Sequence, residues 1–383
     1  MNSEWWVDLA NLDNDQGDIL NLDFNQDHLI LGPPGSGKTN LLLLRANWVS
    51  SISPNILIVV FGRTLREFIA RGSSQYRFDV EKLKTSARCF YDLLREYDYE
   101  VPSKEVPFEQ VRRELAERTR ALRASLSTPP YEAVFVDEAQ DFLPEEIDVL
   151  KSLGNRFFAV ADSRQQLYTG GSGIERLEKT CNVHRLRFHY RNGVAICRLA
   201  DSIGKGMPSY EKTLPTCHYS EDKLPSSFEW LEVAFDKQVR SIVDHIEIQT
   251  KAFPNDMIAI ICPKNSDVDR MHKALLSTSI ADKILKQSSE DGYSEFDARK
   301  PVCLTTMHGC KGLEFRAVHG AMLESLRRFP LQRNLIFTLT TRAKTSLRLY
   351  GDPIPPFVKS ALLGISPPKQ LPPISQAFGG DNK

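Results

Sequence analysis

The sequence predicts an α/β protein with two parallel-sheet domains and a small helical insertion in the first. Three observations lead there. A short apolar run at residues 29–31 ends in a glycine-rich turn and gives way to a leucine-rich stretch at 41–44. Apolar runs at 56–61, 133–136 and 157–161 are continuous rather than alternating, as strands covered on both faces must be. Beyond residue 174, apolar runs at 228–233, 257–262 and 301–306 alternate with helical stretches at 237–248 and 267–276, the pattern of a second parallel sheet.

Composition sets the bounds. The chain has 383 residues, 41% hydrophobic and 26% charged, as in an ordinary globular protein. Its 49 Lys and Arg balance 49 Asp and Glu, so any contact with nucleic acid must use a local basic patch. Seven cysteines are scattered without a C-x-x-C pair, which favours reduced thiols over a disulfide framework or a zinc site. The N-terminus is acidic and lacks a signal-peptide core, and no apolar run has the length to span a membrane. The expectation is a cytoplasmic protein without membrane contact. Domains are expected at 1–173 and 174–350, the first with a helical insertion at about 91–127, followed by a proline-rich tail at 351–383.

In chain order, the turn Gly32-Pro33-Pro34-Gly35-Ser36-Gly37-Lys38-Thr39 fills every fixed position of the phosphate-loop pattern G-x-x-x-x-G-K-[ST]. Glycines let the backbone wrap an anion with its N–H groups, Lys38 adds charge, and the Thr39 hydroxyl is placed to ligate magnesium. The next strand ends in Phe61-Gly62-Arg63. In the insertion, Phe108, Val111, Leu115, Leu122 and Leu126 share one helical face, and arginines at 112, 113, 118, 120 and 123 crowd the remainder as a solvated face or a nucleic-acid contact. The run at 133–136 then delivers Asp137-Glu138, a carboxylate for magnesium beside one that can orient and deprotonate water. Gln165 and Tyr168 follow the next strand. Gly170 to Gly173 supply a flexible turn that marks the expected boundary.

The second half carries His189-Tyr190-Arg191-Asn192. It also carries Thr306-Met307-His308-Gly309-Cys310-Lys311-Gly312-Leu313-Glu314-Phe315 and Thr341-Arg342-Ala343-Lys344. Together with the earlier motifs, this order resembles the UvrD/Rep branch of superfamily 1 helicases from about Leu12 to Leu349. The last two motifs make the resemblance specific. It implies two RecA-like cores that bind ATP and Mg2+ in the cleft between them. Gln16, sixteen residues before Gly32, would then read the adenine edge, and Tyr190 would stack on adenine. Gln165 and Arg191 would sense the γ-phosphate, Glu314 beside Gly312 would contact ribose, and Arg342 would be the finger arginine. Lys38, Thr39, Asp137 and Glu138 keep the roles read from their own chemistry.

The departures bear on duplex separation rather than on nucleotide chemistry. The interval between the strand at 258–262 and Thr306 is only about forty residues, where the family carries a large insertion. Gly170 stands where an aromatic often stacks on a base. The T-x-H-S-F motif is reduced to Ser86-Ala87-Arg88-Cys89-Phe90, and Asn40 replaces an arginine after Thr39. Single-strand grooves combine cations with aromatic platforms, and Phe61, Arg63, Phe90, Tyr168, Thr306 and His308 are the candidates. The expected partner is single-stranded nucleic acid, DNA before RNA. The expected activity is ATP-driven translocation or unwinding. The alternative is a DNA-sensing ATPase subunit that switches a partner such as a nuclease, in repair or anti-phage defence.

Overall fold

The computed structural model describes residues 12–71, 79–102, 107–162, 173–205, 207, 210–288, 294–297, 299–326 and 331–365. Among them, twelve strands form two six-stranded sheets, all pairs parallel. Two parallel α/β domains are therefore present, as the apolar runs predict.

The first domain opens with α1 (Asn14–Leu20), β1 (His28–Leu31) and α2 (Lys38–Ile52). Next come β2 (Ile56–Val60), α3 (Arg63–Arg71), β3 (Leu83–Thr85), α4 (Ser86–Glu96) and α5 (Phe108–Ser125). It closes with β4 (Tyr131–Val136), α6 (Pro144–Ser152), β5 (Gly154–Ala161), α7 (Gly173–Thr180) and β6 (Asn182–Arg185). Strand order is β3-β2-β4-β5-β1-β6. Leu31 pairs with Ala161 of β5, and Val136 with Ala159, so the phosphate loop, Asp137 and Asp162 emerge side by side at the carboxyl edge. That edge is where open α/β sheets place ligands.

The second domain comprises α8 (Val194–Gly204), β7 (Ser227–Glu232), α9 (Phe235–Ala252), β8 (Ile258–Cys262), α10 (Asn265–Leu275) and β9 (Ile284–Lys286). It continues with β10 (Val302–Thr306), β11 (Phe315–Gly320), α11 (Leu331–Thr341), β12 (Ala343–Gly351) and α12 (Pro356–Ile365), in strand order β7-β12-β11-β8-β10-β9. Glu314 and Arg342 stand at the amino ends of β11 and β12, whose first residues pair, Phe315 with Ala343. The carboxyl edge of the first sheet thus meets the amino edge of two strands of the second.

Three expectations need correction. The first sheet does not stop at residue 173, because β6 pairs with β1. Four residues of mixed polarity (Asn182-Val183-His184-Arg185) carry no strand periodicity, so only the pairing shows them. The proline-rich tail is not extended from 351: α12 buries Val358, Ala361 and Leu362 and packs on α8. Its prolines, Pro355 and Pro356, lie at the helix start, where a missing N–H costs nothing. Residues 366–383 lie outside the described residues. The insertion is helical as expected, but its arginines are not uniformly solvated. Arg112 is 4% exposed and bonds Glu146 of α6 through Nε (3.2 Å) and Nη2 (2.5 Å). Conversely, Phe108, assigned to the apolar face, is 63% exposed.

Candidate nucleotide and nucleic-acid site

The phosphate loop folds back on itself through its lysine. Lys38 Nζ donates to the carbonyls of Gly32 and Pro33, both at 2.8 Å. Gly35 has φ of 80°, and a Cβ there would stand 2.5 Å from Cβ of Arg191, so only glycine lets that segment approach. The approach is bonded: Tyr190 N donates to Gly35 O at 3.1 Å. Gln16, buried at the base of the loop, donates from Nε2 to Ser36 O at 3.0 Å and accepts from Asp13 N, completing a capping box on α1. The Tyr190 hydroxyl donates to Asp13, which puts Gln16 and Tyr190 on the same flank of the loop.

Thr39 Oγ1 donates to Asp137 Oδ2 at 2.8 Å. Burial, then the charge of Glu138, pushes the Asp137 carboxyl up to about 7 against the Thr39 hydrogen bond. Two hard oxygen donors in a negatively loaded pocket fit a magnesium ion, which would relieve that repulsion. Glu138 has φ of 53°, in the left-handed region. Its carboxylate accepts from Gln140 Nε2, and Gln140 Oε1 accepts from Asp162 N at 3.0 Å.

One cleft brings these groups together with the second domain. Its lining includes Pro34, Gly35, Gly37, Lys38, Thr39, Asp137 and Glu138 on one side and Arg191, Gly312, Glu314 and Arg342 on the other. Arg191 donates to Glu314, and Lys344 lies 3.5 Å from the same carboxylate. Burial opposes the Glu314 charge, but those two cations outweigh it and hold its pKa below the ordinary value. Arg342 is 1% exposed and donates to Thr338 O (3.2 Å) and Leu313 O (3.1 Å). Gly312, with φ of 78°, abuts Leu65 of α3, where a Cβ would lie 2.6 Å from a methyl.

Sequence reading missed four residues that tie this site together. Asn192 Nδ2 donates to Thr341 O (2.9 Å) and Ala343 O (2.6 Å), clamping the peptides on either side of Arg342. Lys311 of the second domain meets Asp141 of the first at 2.5 Å. Gln140 positions Glu138. Asp141, Asn192 and Lys311 all sit inside motifs read for their neighbours, so position within a motif was the available signal.

A groove runs beside the cleft. One cavity of about 610 Å³ is lined from both domains by residues that include Arg63, Glu138, Asp141, Thr306, His308 and Lys311. Another of about 1160 Å³ shares Phe61, Gly62 and Arg63 with it and continues along α4 and α5 past Tyr91 and Phe108. Arg63, Arg66, Lys84, Arg88, Arg95 and Arg112 line the larger cavity, against Glu67, Glu81 and Asp92. A local positive excess thus exists on a chain of zero net charge. Phe61 and Arg63 line both cavities, and Thr306 and His308 line the smaller one. Phe61 is held edge-on by Phe142 (5.4 Å) with the Arg112 guanidinium 4.9 Å from its ring. Phe90 is a correction: it is 0% exposed in the first-domain core and offers no platform, because α4 turns that face onto the sheet. Gln165, Tyr168 and Gly170 lie outside the described residues.

Residues 301–350, which span β10 to β12, match the model of the UvrD-like helicase C-terminal domain. No curated protein matches the chain. Among solved structures it aligns with the PRRSV helicase at 14% identity and a TM-score of 0.39, over 88% of this chain and 54% of that one. It thus spans about half the length of that protein. It also aligns with the C-terminal domain of a possible DNA helicase from Lactobacillus, strain WCFS1, at 20% identity and a TM-score of 0.33, over 45% of this chain and 93% of that one. No described helix is long and apolar enough to cross a membrane. The late motifs at Thr306–Phe315 and Thr341–Lys344 both fall inside the matched segment, and over that segment the chain is similar to UvrD-like helicases.

Proposed function

We propose that the chain is an ATP-dependent translocase or helicase of single-stranded nucleic acid, DNA before RNA, that hydrolyses ATP between two RecA-like cores. The observation that carries this is the two-sided cleft, with Lys38, Thr39, Asp137 and Glu138 from one sheet facing Arg191, Glu314 and Arg342 from the other. Lys38 and the loop N–H groups bind phosphate, and Tyr190 and Gln16 flank the base. Thr39 and Asp137 hold Mg2+, which when bound neutralises charge on the phosphate oxygens. Glu138, oriented by Gln140, takes the proton of the attacking water. Arg191 and Arg342 stabilise charge that develops on the transferred phosphoryl group.

Glu138 also lines the adjoining groove, so a strand bound there lies next to the hydrolytic carboxylate. Nucleic acid that contacts Arg63 on one side and Thr306 and His308 on the other favours the arrangement in which both domains face the nucleotide. ATP hydrolysis by the purified chain, with and without single-stranded DNA and RNA, tests the proposal. Turnover that neither polymer raises would reject it.

One observation favours a second reading, a nucleic-acid-sensing ATPase that drives a protein partner such as a nuclease. Between β8 and β10 the described residues form only α10 and the three-residue β9 besides loop and single-turn segments. No described domain there grips duplex. Stimulated hydrolysis without strand separation would select this reading.

A further inference from the structure

Outside the cleft, three soft donors from three separate stretches converge. His189 Nε2, Cys197 Sγ on α8 and Cys217 Sγ all lie within 4.8 Å of one another. His189 and Cys197 are each 1% exposed. Both sulfurs also reach one oxygen, the carbonyl of Asn192, at 3.4 Å and 3.2 Å. A tetrahedral cation with metal–sulfur bonds near 2.3 Å and metal–nitrogen or metal–oxygen bonds near 2.0–2.2 Å needs donor separations of about 3.5–3.8 Å. The His189 Nε2 to Cys197 Sγ distance is 3.8 Å, so one edge already has that length and the two to oxygen are slightly shorter.

The cluster is held from outside. His189 N donates to Thr216 O (3.0 Å), and His218 N donates to His189 O (2.8 Å). Asp201 Oδ1 fixes the start of the Cys217 loop by accepting from Thr213 N (2.6 Å) and Thr213 Oγ1 (2.8 Å). Donors on a braced frame lose little freedom when they bind.

We propose that His189, Cys197 and Cys217 bind a thiophilic divalent cation of the zinc class, with the Asn192 carbonyl oxygen on the fourth side. Two thiolates and an imidazole are a soft donor set that selects such a cation over magnesium or calcium. Binding releases one proton from each thiol. It also moves the imidazole proton from Nε2, which faces Thr213 O at 2.9 Å, to Nδ1. The ligands bracket residues 189–192, the segment that bonds Gly35 through Tyr190 N and clamps Arg342 through the Asn192 side chain. The cation would therefore brace the peptide that joins the phosphate loop to the second domain.

The test uses the full-length chain, stripped with chelator and kept reduced, and titrates it with Zn2+ and with Co2+. The expected result is one equivalent bound, two protons released, and a thiolate-to-cobalt charge-transfer band. Cys217→Ser and Cys197→Ser should reduce that band to background, and Cys181→Ser, a thiol remote from the cluster, should keep it. A measurement on the unaltered chain guards against variants that misfold: Zn2+ should protect two of the seven cysteines from alkylation, identified as 197 and 217 by mass spectrometry. No stoichiometric cobalt, a band that survives Cys217→Ser, or protection of other thiols would overturn the proposal. So would a Cys197–Cys217 disulfide that persists under reductant with no metal bound.

Discussion

Lys311 of the second domain donates to Asp141 of the first at 2.5 Å, with the side chains 8% and 1% exposed. Burial pushes the Asp141 carboxyl up to about 6, and the Lys311 charge opposes that rise. The pair therefore holds a charge that its surroundings disfavour. Breaking one partner of a buried ion pair typically costs about 3–5 kcal/mol, while replacing both can be nearly neutral. Lys311→Met alone should lower the urea midpoint sharply, and Lys311→Met with Asp141→Asn should recover much of the loss. A double variant no better than the single would show that the pair is not coupled.

Lys38→Ala and Glu138→Gln should both abolish turnover and differ in binding. The first removes the cation aimed at the phosphates, so ATP affinity falls. The second leaves the loop and the Thr39–Asp137 pair intact, so ATP stays bound and unhydrolysed. Equilibrium binding of labelled ATP beside a turnover assay separates them. Equal loss of affinity would refute the division of roles.

Arg342 sits in the cleft on a peptide held by Asn192, which gives its role two independent tests. An arginine from a second domain adds little to ground-state binding and about 10³–10⁵ in turnover. Arg342→Ala and Arg342→Lys should lose hydrolysis far more than affinity, because lysine lacks the planar fork. Asn192→Ala should give the same split more mildly, by letting the peptide drift. Near-normal stimulated turnover in Arg342→Ala would remove it from the transition state.

The groove separates surface aromatics from core ones. Phe108→Ala, at a ring 63% exposed, should weaken single-stranded DNA binding by roughly 1–3 kcal/mol, the value of one stacked base, with little effect on stability. Phe90→Ala should do the reverse, costing about 3–5 kcal/mol of fold stability because the ring is buried in the core. Fluorescence anisotropy with a labelled oligonucleotide, beside urea unfolding, checks both.

What the sequence could reveal follows from this contrast. The strands that carry the site are continuous apolar runs, and the phosphate loop, Asp137-Glu138 and the late motifs have fixed spacing, so the cleft was readable. Phe90 and Phe108 were not, because a side chain at a given helical phase faces core or groove according to what the helix packs against. Asn192, Lys311 and Asp141 act through backbone carbonyls or partners far off in sequence, and no local pattern encodes a partner 170 positions away. The His189–Cys197–Cys217 cluster escaped for the same reason. Spacing rules for metal sites assume ligands on one hairpin or helix, and here a helix and two loops supply them.

The last prediction concerns pH. His319, 0% exposed on β11, is bracketed by Tyr350 Oη at 3.2 Å and Gln249 Oε1 at 2.9 Å. Burial, then the nearby His245 and Arg348 charges, holds its pKa down at about 3, against 6.5 for the ordinary imidazole. The folded protein keeps this ring neutral where the unfolded chain would protonate it. Between those two values the unfolded state binds more protons, so stability falls as pH drops from 6.5 toward 3 and is insensitive to His319 above 6.5. The slope approaches about 1.4 kcal/mol per pH unit within the window. His319→Gln replaces the ring with a group that does not titrate. Urea midpoints for both proteins at pH 7.5 and 5.5 should show a smaller drop in the variant, whatever its absolute stability. An equal drop in the two would mean that His319 is protonated in the folded protein and that its bracket does not hold it neutral.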